Sequence, residues 1–272
     1  MNVGPDRWPP GGDDGGAPRV RDPVPGYAGR GRLRGRRALV VGDMGDAPGG
    51  GRAVAVALAR EGAAVAVAGR SGDPDAPPGA RPLAPPLGDG PLADTARLLA
   101  EAGGATLAVD CDPTSEAECR EVVAHTALEF GAIDVLALCG SAPPDADGLR
   151  ELTTRRLEEL LRATLYTALW FVRAARTHLA DGASVVLPGS GAGRAGSGEH
   201  VGLAAGTGGV MSLTRSLADA LRDRGVRVNC LVSDPRDDPA DVAAAYVALA
   251  AGEGRHGTGE VLPVAEVLAA GG

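Results

Sequence analysis

Short, unbroken apolar runs alternate along this chain with longer segments whose apolar residues recur every three to four positions. RRALVVG (36–42) carries no polar alternation and ends in glycine, which suits a strand buried on both faces. GRAVAVALAREGA then places Val54 and Leu58 one helical turn apart, and Gly62 closes that helix. Further strands are predicted at 64–70, 106–112, 133–140, 183–189 and 226–232, with a last one in GEVLPVA. Helices are predicted at 92–103, 116–130, 152–162, 163–179, 208–224 and 239–251. Strand followed by helix throughout implies parallel pairing through right-handed crossovers. The expected fold is α/β, a single doubly wound, Rossmann-like parallel sheet with helices on both faces, spanning residues 31–272.

Two stretches break the pattern. Residues 1–30 show neither helical nor strand periodicity and hold too little apolar surface to offset the entropy of ordering, so a flexible tail is expected there. Residues 71–91 contain seven prolines in 21 positions and read as an insertion unable to form a helix or a central strand. Composition agrees, because 42 glycines and 21 prolines in 272 residues imply some unfolded chain.

Charge narrows the function classes. A net charge of −8 and few aromatic residues argue against nucleic-acid binding. No apolar run approaches the ~20 residues of a membrane span, and the first 30 residues do not resemble a signal peptide, so a cytoplasmic protein is expected. Cys111, Cys119, Cys139 and Cys230 form no CxxC pair, and the four histidines lack ligand spacing; no metal site is expected.

The turn after the first strand, VGDMGDAPGGGRA, is where such a fold holds a pyrophosphate against free amides and a helix N-terminus. This turn, the strand and helix around it, FGAIDVL, and GVMSLTRSLADALRDRGVRVNCL together resemble the short-chain dehydrogenase/reductase family from about Gly31 to Val264. The resemblance implies an NAD or NADP site and hydride transfer to or from a carbonyl, with Gly42, Gly49, Gly51, Arg70 and Asp112 at the cofactor positions. Arg70 matches the base that meets the 2′-phosphate in NADP-preferring relatives, so NADP is the cofactor implied; a solvated strand-end arginine is the other reading. Asp112 matches an adenine-contacting aspartate. Relative to the family, Val41 replaces Thr and the turn is three residues longer. Asp43 and Asp46 put carboxylates beside the phosphate position, where one 4 Å contact costs about 4 kcal/mol at an effective dielectric near 20. Pro48 lacks an amide, Leu138-Cys139-Gly140 replaces an Asn-rich turn, and Ser233-Asp234 replaces Pro-Gly.

Four catalytic positions are implied, a Tyr and Lys four residues apart with a Ser and an Asn. They fall at Leu203, Thr207, Ser190 and Thr164, so only Ser190 keeps its residue type. Leu203 has no proton to donate and Thr207 no charge, which removes the general acid. No other Tyr-x-x-x-Lys exists, since the chain contains no lysine. Three functions stay open: a non-catalytic partner subunit or scaffold in a homo- or hetero-oligomer with a family member, a non-redox enzyme acting on a small metabolite through Ser190, Arg194, Glu199 and His200, and an NADP-dependent reductase. Small residues at 202–209 also suit a helix start packed on a neighbour.

Overall fold

In the computed structural model, residues 20–45, 50–71, 79–83, 88–140, 148–254 and 256–270 are described. Eight strands form one sheet: β1 (Arg37–Val41), β2 (Ala64–Gly69), β3 (Arg81–Pro82), β4 (Thr106–Asp110), β5 (Ile133–Leu138), β6 (Leu179–Ser190), β7 (Arg227–Ser233) and β8 (Val261–Pro263). Their order is β3-β4-β2-β1-β5-β6-β7-β8. All neighbours pair in parallel except β3, which runs antiparallel to β4. The expected doubly wound α/β sheet is therefore present.

Period-two alternation along the inner strands sends side chains to opposite faces. Val40, Val67 and Ala137 pack beneath α1 (Gly51–Arg60), α2 (Pro91–Glu101), α8 (Pro239–Ala251) and α9 (Val264–Ala270). Leu39, Ala68 and Leu136 pack against α3 (Glu116–Phe130), α5 (Thr167–Ala175) and α7 (Val201–Ala220). Because the chain runs from β1 outward to β4 and then returns to β5 on β1's other side, the topological switch point lies between β1 and β5.

The proline-rich insertion contributes the edge strand β3, where Pro82 forfeits no interior ladder bond. Other expectations need correction. The final strand stops at Pro263 and α9 follows. The predicted helices 152–162 and 163–179 are one continuous rod: α4 (Thr154–Leu161), a π-helical turn (Arg162–Tyr166) and α5, ending at Ala175 so that β6 can begin at Leu179. A short α6 (Gly191–Ala195) follows β6.

The largest difference is α7, which starts at Val201 rather than at 208. Gly202, Gly206, Gly208 and Gly209 all lie inside it, although glycine costs a helix about 1 kcal/mol per residue relative to alanine. Close approach offsets that cost. A methyl on Gly206 would overlap Thr164 Oγ1, and one on Gly202 would press on Leu160. A methyl on Gly208 would meet nothing nearer than an ordinary contact with the Gly193 carbonyl.

Residues 20–30, expected within the flexible tail, instead pack on the domain, while residues 1–19 lie outside the described residues. Val24 is fully buried, and Asp22 pairs with Arg60 at 2.7 Å. Beside them, the fully buried Glu61 carboxylate accepts from Tyr27 Oη (2.8 Å), the amides of Arg30 and Arg32 (2.9 and 3.0 Å) and the Arg32 guanidinium (2.6 Å). Burial alone raises its pKa, but these donors outweigh burial and bring it to about 2. Sequence periodicity misses this anchor because its partners come from a different segment.

The folded Glu61 carboxyl titrates below its unfolded value of 4.5, so its stabilisation is complete above that pH and is lost as pH falls toward 2. Glu61→Gln is expected to lower unfolding free energy by about 3 kcal/mol at pH 7. It should also flatten the acid limb of stability between pH 4.5 and 2 in urea titrations. In α7, Gly206→Ala is expected to destabilise by ~1–3 kcal/mol through overpacking. Gly208→Ala should stabilise by up to ~1 kcal/mol through helix propensity. Thermal melts of the two single variants read out the opposite signs.

Candidate functional site

A cavity of about 400 Å³ opens at the carboxyl ends of the central strands, beside the switch point. Its wall combines Val41, Gly42 and Asp43 after β1, Arg70 after β2, Pro113 and Thr114 after β4, and Leu138, Cys139 and Gly140 at the end of β5. The π turn and α5 add Ala163, Thr164, Thr167 and Ala168, and β6 adds Pro188. Gly42 has φ +155°, and a side chain there would meet the Cys139 carbonyl, so glycine is required for the two strand ends to come together.

The expected cofactor residues are only partly assembled. Gly42, Arg70 and the segment following Asp112 reach the cavity, whereas Gly49, with Asp46 and Pro48, lies outside the described residues. Gly51 begins α1, but its amide donates to the Asp43 carbonyl at 2.7 Å. Arg70 and Asp112 are brought to each other: their charged groups pair at 2.7 Å. Asp112 Oδ1 also accepts from the amide and hydroxyl of Thr114, at 2.8 and 2.7 Å. Asp43 faces the cavity, and its Oδ1 accepts only the Gly45 amide, at 2.7 Å.

Of the positions carried over for catalysis, Thr164 lines the cavity, while Leu203, Thr207 and Ser190 lie where α7 meets β6 and α6. Thr207 Oγ1 donates to the Leu203 carbonyl at 2.7 Å. That carbonyl can only accept, so in the 2.8 Å contact between Ser190 Oγ and Thr207 Oγ1 the serine is the donor. Ser190 Oγ in turn accepts the Gly193 amide at 3.1 Å and caps α6. The result is a one-way chain of hydroxyl protons ending on a backbone oxygen. Thr164 Oγ1 donates to the Leu160 carbonyl at 2.6 Å.

None of the three tyrosines joins this chain. Tyr27 donates to Glu61, the Tyr166 ring lies 5.6 Å from that of Trp170, and Tyr246 donates to the Leu138 carbonyl at 2.7 Å from a fully packed position. Burial drives the Tyr246 pKa well above its usual value. Arg194 and Glu199 are exposed and half-buried His200 starts α7; among the described residues none of them hydrogen-bonds Ser190. Cys139 is pushed up to about 12 by burial, so its thiol is not a nucleophile at neutral pH.

A family model described as enoyl-(acyl carrier protein) reductase matches residues 45–238. The chain belongs to the short-chain dehydrogenase/reductase family. It is 30% identical over 217 residues to the uncharacterized oxidoreductase YhxD of Bacillus subtilis (strain 168), covering 80% of this chain and 67% of that protein. It is 31% identical to glucose and ribitol dehydrogenase homolog 2 of Arabidopsis thaliana, covering 81% and 73%. A short chain dehydrogenase from Mycobacterium smegmatis superposes with a TM-score of 0.73 at 27% identity, covering 89% of this chain and 96% of that one. As an α/β oxidoreductase-like chain of this family, it has no helix, among the described residues, long and apolar enough to cross a membrane.

The dinucleotide associated with the short-chain dehydrogenase/reductase family needs donors and positive charge beside its phosphates. Of the described residues, Gly51 gives its amide to the Asp43 carbonyl, Asp43 lines the wall and Arg70 is ion-paired with Asp112, while residues 46–49 of the phosphate turn lie outside the described residues. Sequence reasoning also missed Thr167, which lines the cavity. Its hydroxyl proton goes to the carbonyl of Pro113 or Arg162, each at 2.8 Å.

Proposed function

We propose that this chain is a non-catalytic member of the short-chain dehydrogenase/reductase family that serves as a partner subunit or scaffold, in a homo-oligomer or beside a competent relative. One observation carries this reading: the hydroxyl chain from Ser190 through Thr207 ends on the Leu203 carbonyl. Carbonyl reduction needs a group that gives a proton to the developing alkoxide. Here the leucine at the acid's position has none, and the serine's proton is already committed to a neighbouring hydroxyl. General acid catalysis contributes 10²–10⁴-fold, about 3–5 kcal/mol of barrier, and this arrangement forgoes it.

The retained scaffold supports the second half of the proposal. The rod formed by α4, the π turn and α5 presents a half-exposed Tyr166 beside Trp170, with the Arg162 guanidinium 5.6 Å from the Trp170 ring. Aromatic and arginine side chains of this kind are enriched at protein interfaces. In relatives this rod and the helix corresponding to α7 form the usual association surface, so the features that build an oligomer persist where those that build the reaction do not.

The purified full-length chain, given NADPH or NADH with a panel of aldehydes and ketones, is expected to consume no cofactor above the protein-free rate. Light scattering coupled to size exclusion should give a mass above that of one chain, alone or mixed with a competent paralogue. Turnover with either cofactor would overturn the loss of chemistry; a lone monomer under both conditions would overturn the partner role.

A further inference from the structure

We infer that the face at the amino ends of β1 and β7, at the opposite end of the sheet from the cavity, binds a compact multivalent anion of the oligophosphate class through Arg30, Arg34, Arg36 and Arg227. The inference does not depend on the loss of turnover. It follows from an arginine cluster that the fold gathers on one surface and leaves short of carboxylates.

Between Val20 and Arg37 the chain carries six arginines and one acidic residue, Asp22, although its net charge is −8. Two tight turns fold this stretch, with the Arg34 amide donating to the Gly31 carbonyl at 3.4 Å and the Arg36 amide to the Leu33 carbonyl at 2.9 Å. A methyl on Gly31 would come within 2.7 Å of Arg34 Nε, so the Arg34 side chain doubles back beside the residue that follows Arg30, and its Cγ covers Gly62 at the end of α1. Arg32 extends the surface to α8 by pairing with Glu253 at 2.8 Å. Next to Glu253, Gly252 abuts the Arg227 guanidinium, and a methyl there would lie 3.3 Å from Nη2. Arg227 in turn feels Arg36: burial first, and then the Arg36 charge, lower its pKa from the usual arginine value.

Six guanidiniums on this surface, those of Arg30, Arg32, Arg34, Arg36, Arg37 and Arg227, meet three carboxylates. Arg32 takes Glu61 and Glu253, and Arg37 takes Asp134 at 2.6 Å, with Arg36 3.6 Å from the same carboxylate. Arg30, Arg34 and Arg227 have no ion-pair partner among the described residues. Arginines commonly complement helix C-termini, and Arg227 does so by donating to the Leu249 and Ala250 carbonyls that end α8. That role does not account for the exposed Arg30 and Arg34, whose side chains donate to no group among the described residues. The surface therefore holds three positive charges in excess, so that a net charge of −8 leaves −11 on the rest of the chain. Guanidiniums bind phosphate oxygens in matched pairs. A compact oligophosphate can place all its charge on this patch, whereas a nucleic acid or a lipid surface extends well past a Debye length of about 8 Å and meets the acidic remainder.

Tripolyphosphate, orthophosphate, a short DNA duplex and phosphatidylserine vesicles test this, each added to the full chain at low salt without magnesium and followed by calorimetry. Tripolyphosphate is expected to bind saturably and to raise Tm, because a ligand that binds only the native state must raise its stability. Orthophosphate should bind at least about tenfold more weakly, and the duplex and the vesicles more weakly than tripolyphosphate. The double variant Arg30→Gln/Arg34→Gln should melt like the wild type without ligand and bind tripolyphosphate at least about tenfold more weakly. Should it melt early, Arg34→Gln alone carries the comparison, with a several-fold loss expected. Arg70→Gln at the cavity and Arg155→Gln on α4 should keep wild-type affinity. The inference is overturned by an absent tripolyphosphate signal, by equal affinity for orthophosphate, by tighter binding of the duplex or the vesicles, by wild-type affinity in the Arg30 and Arg34 variants, or by a loss in Arg70→Gln, which would move the anion to the cavity. Turnover in the reductase assay would sink the non-catalytic reading without touching this one.

Discussion

The close approach of α7 to the rod formed by α4, the π turn and α5 fixes nearly every feature of the candidate site. Gly202 and Gly206 let the two helices pack with Leu160 and Thr164 directly against the α7 backbone. That contact sets the height of the Leu203 carbonyl and the direction of Thr207, whose hydroxyl lies so near α6 that position 193 has no room for a side chain. Ser190 then has one neighbour for its proton and one amide to cap. A polar chain closed in this way stabilises the junction of β6, α6 and α7. The same closure directs the Ser190 proton to Thr207.

Charge in this protein is handled in two contrasting ways. Glu61 is fully buried, and every lone pair it offers is met by a guanidinium, a phenol or an amide, so a carboxylate in the interior becomes the anchor of residues 20–35. Asp43 is exposed and lines the cavity at the end of β1, where its carboxylate accepts only the Gly45 amide. Arg70 and Asp112 stand between these extremes, partly exposed and paired with each other at 2.7 Å. The sheet and its two helical layers are those of the family.

The sequence by itself determined seven of the eight strands, their parallel pairing and the family, because buried parallel strands are continuous apolar runs and because strand-helix alternation leaves few topologies. It also put Leu203 and Thr207 at the positions where the resemblance implies a Tyr and a Lys. Tertiary structure alone decided the start of α7, where glycines that argue locally against a helix are tolerated because another helix lies against them. It decided the π turn, the place of Thr167 in the cavity wall, the burial of Val24, the pairing of Arg70 with Asp112 across 42 residues of chain, and the direction of the Ser190 proton. Periodicity reports what each segment does with its own neighbours. Which acceptor receives a given proton, and which charge cancels another, depends on atoms that only the folded chain brings within 3 Å of each other.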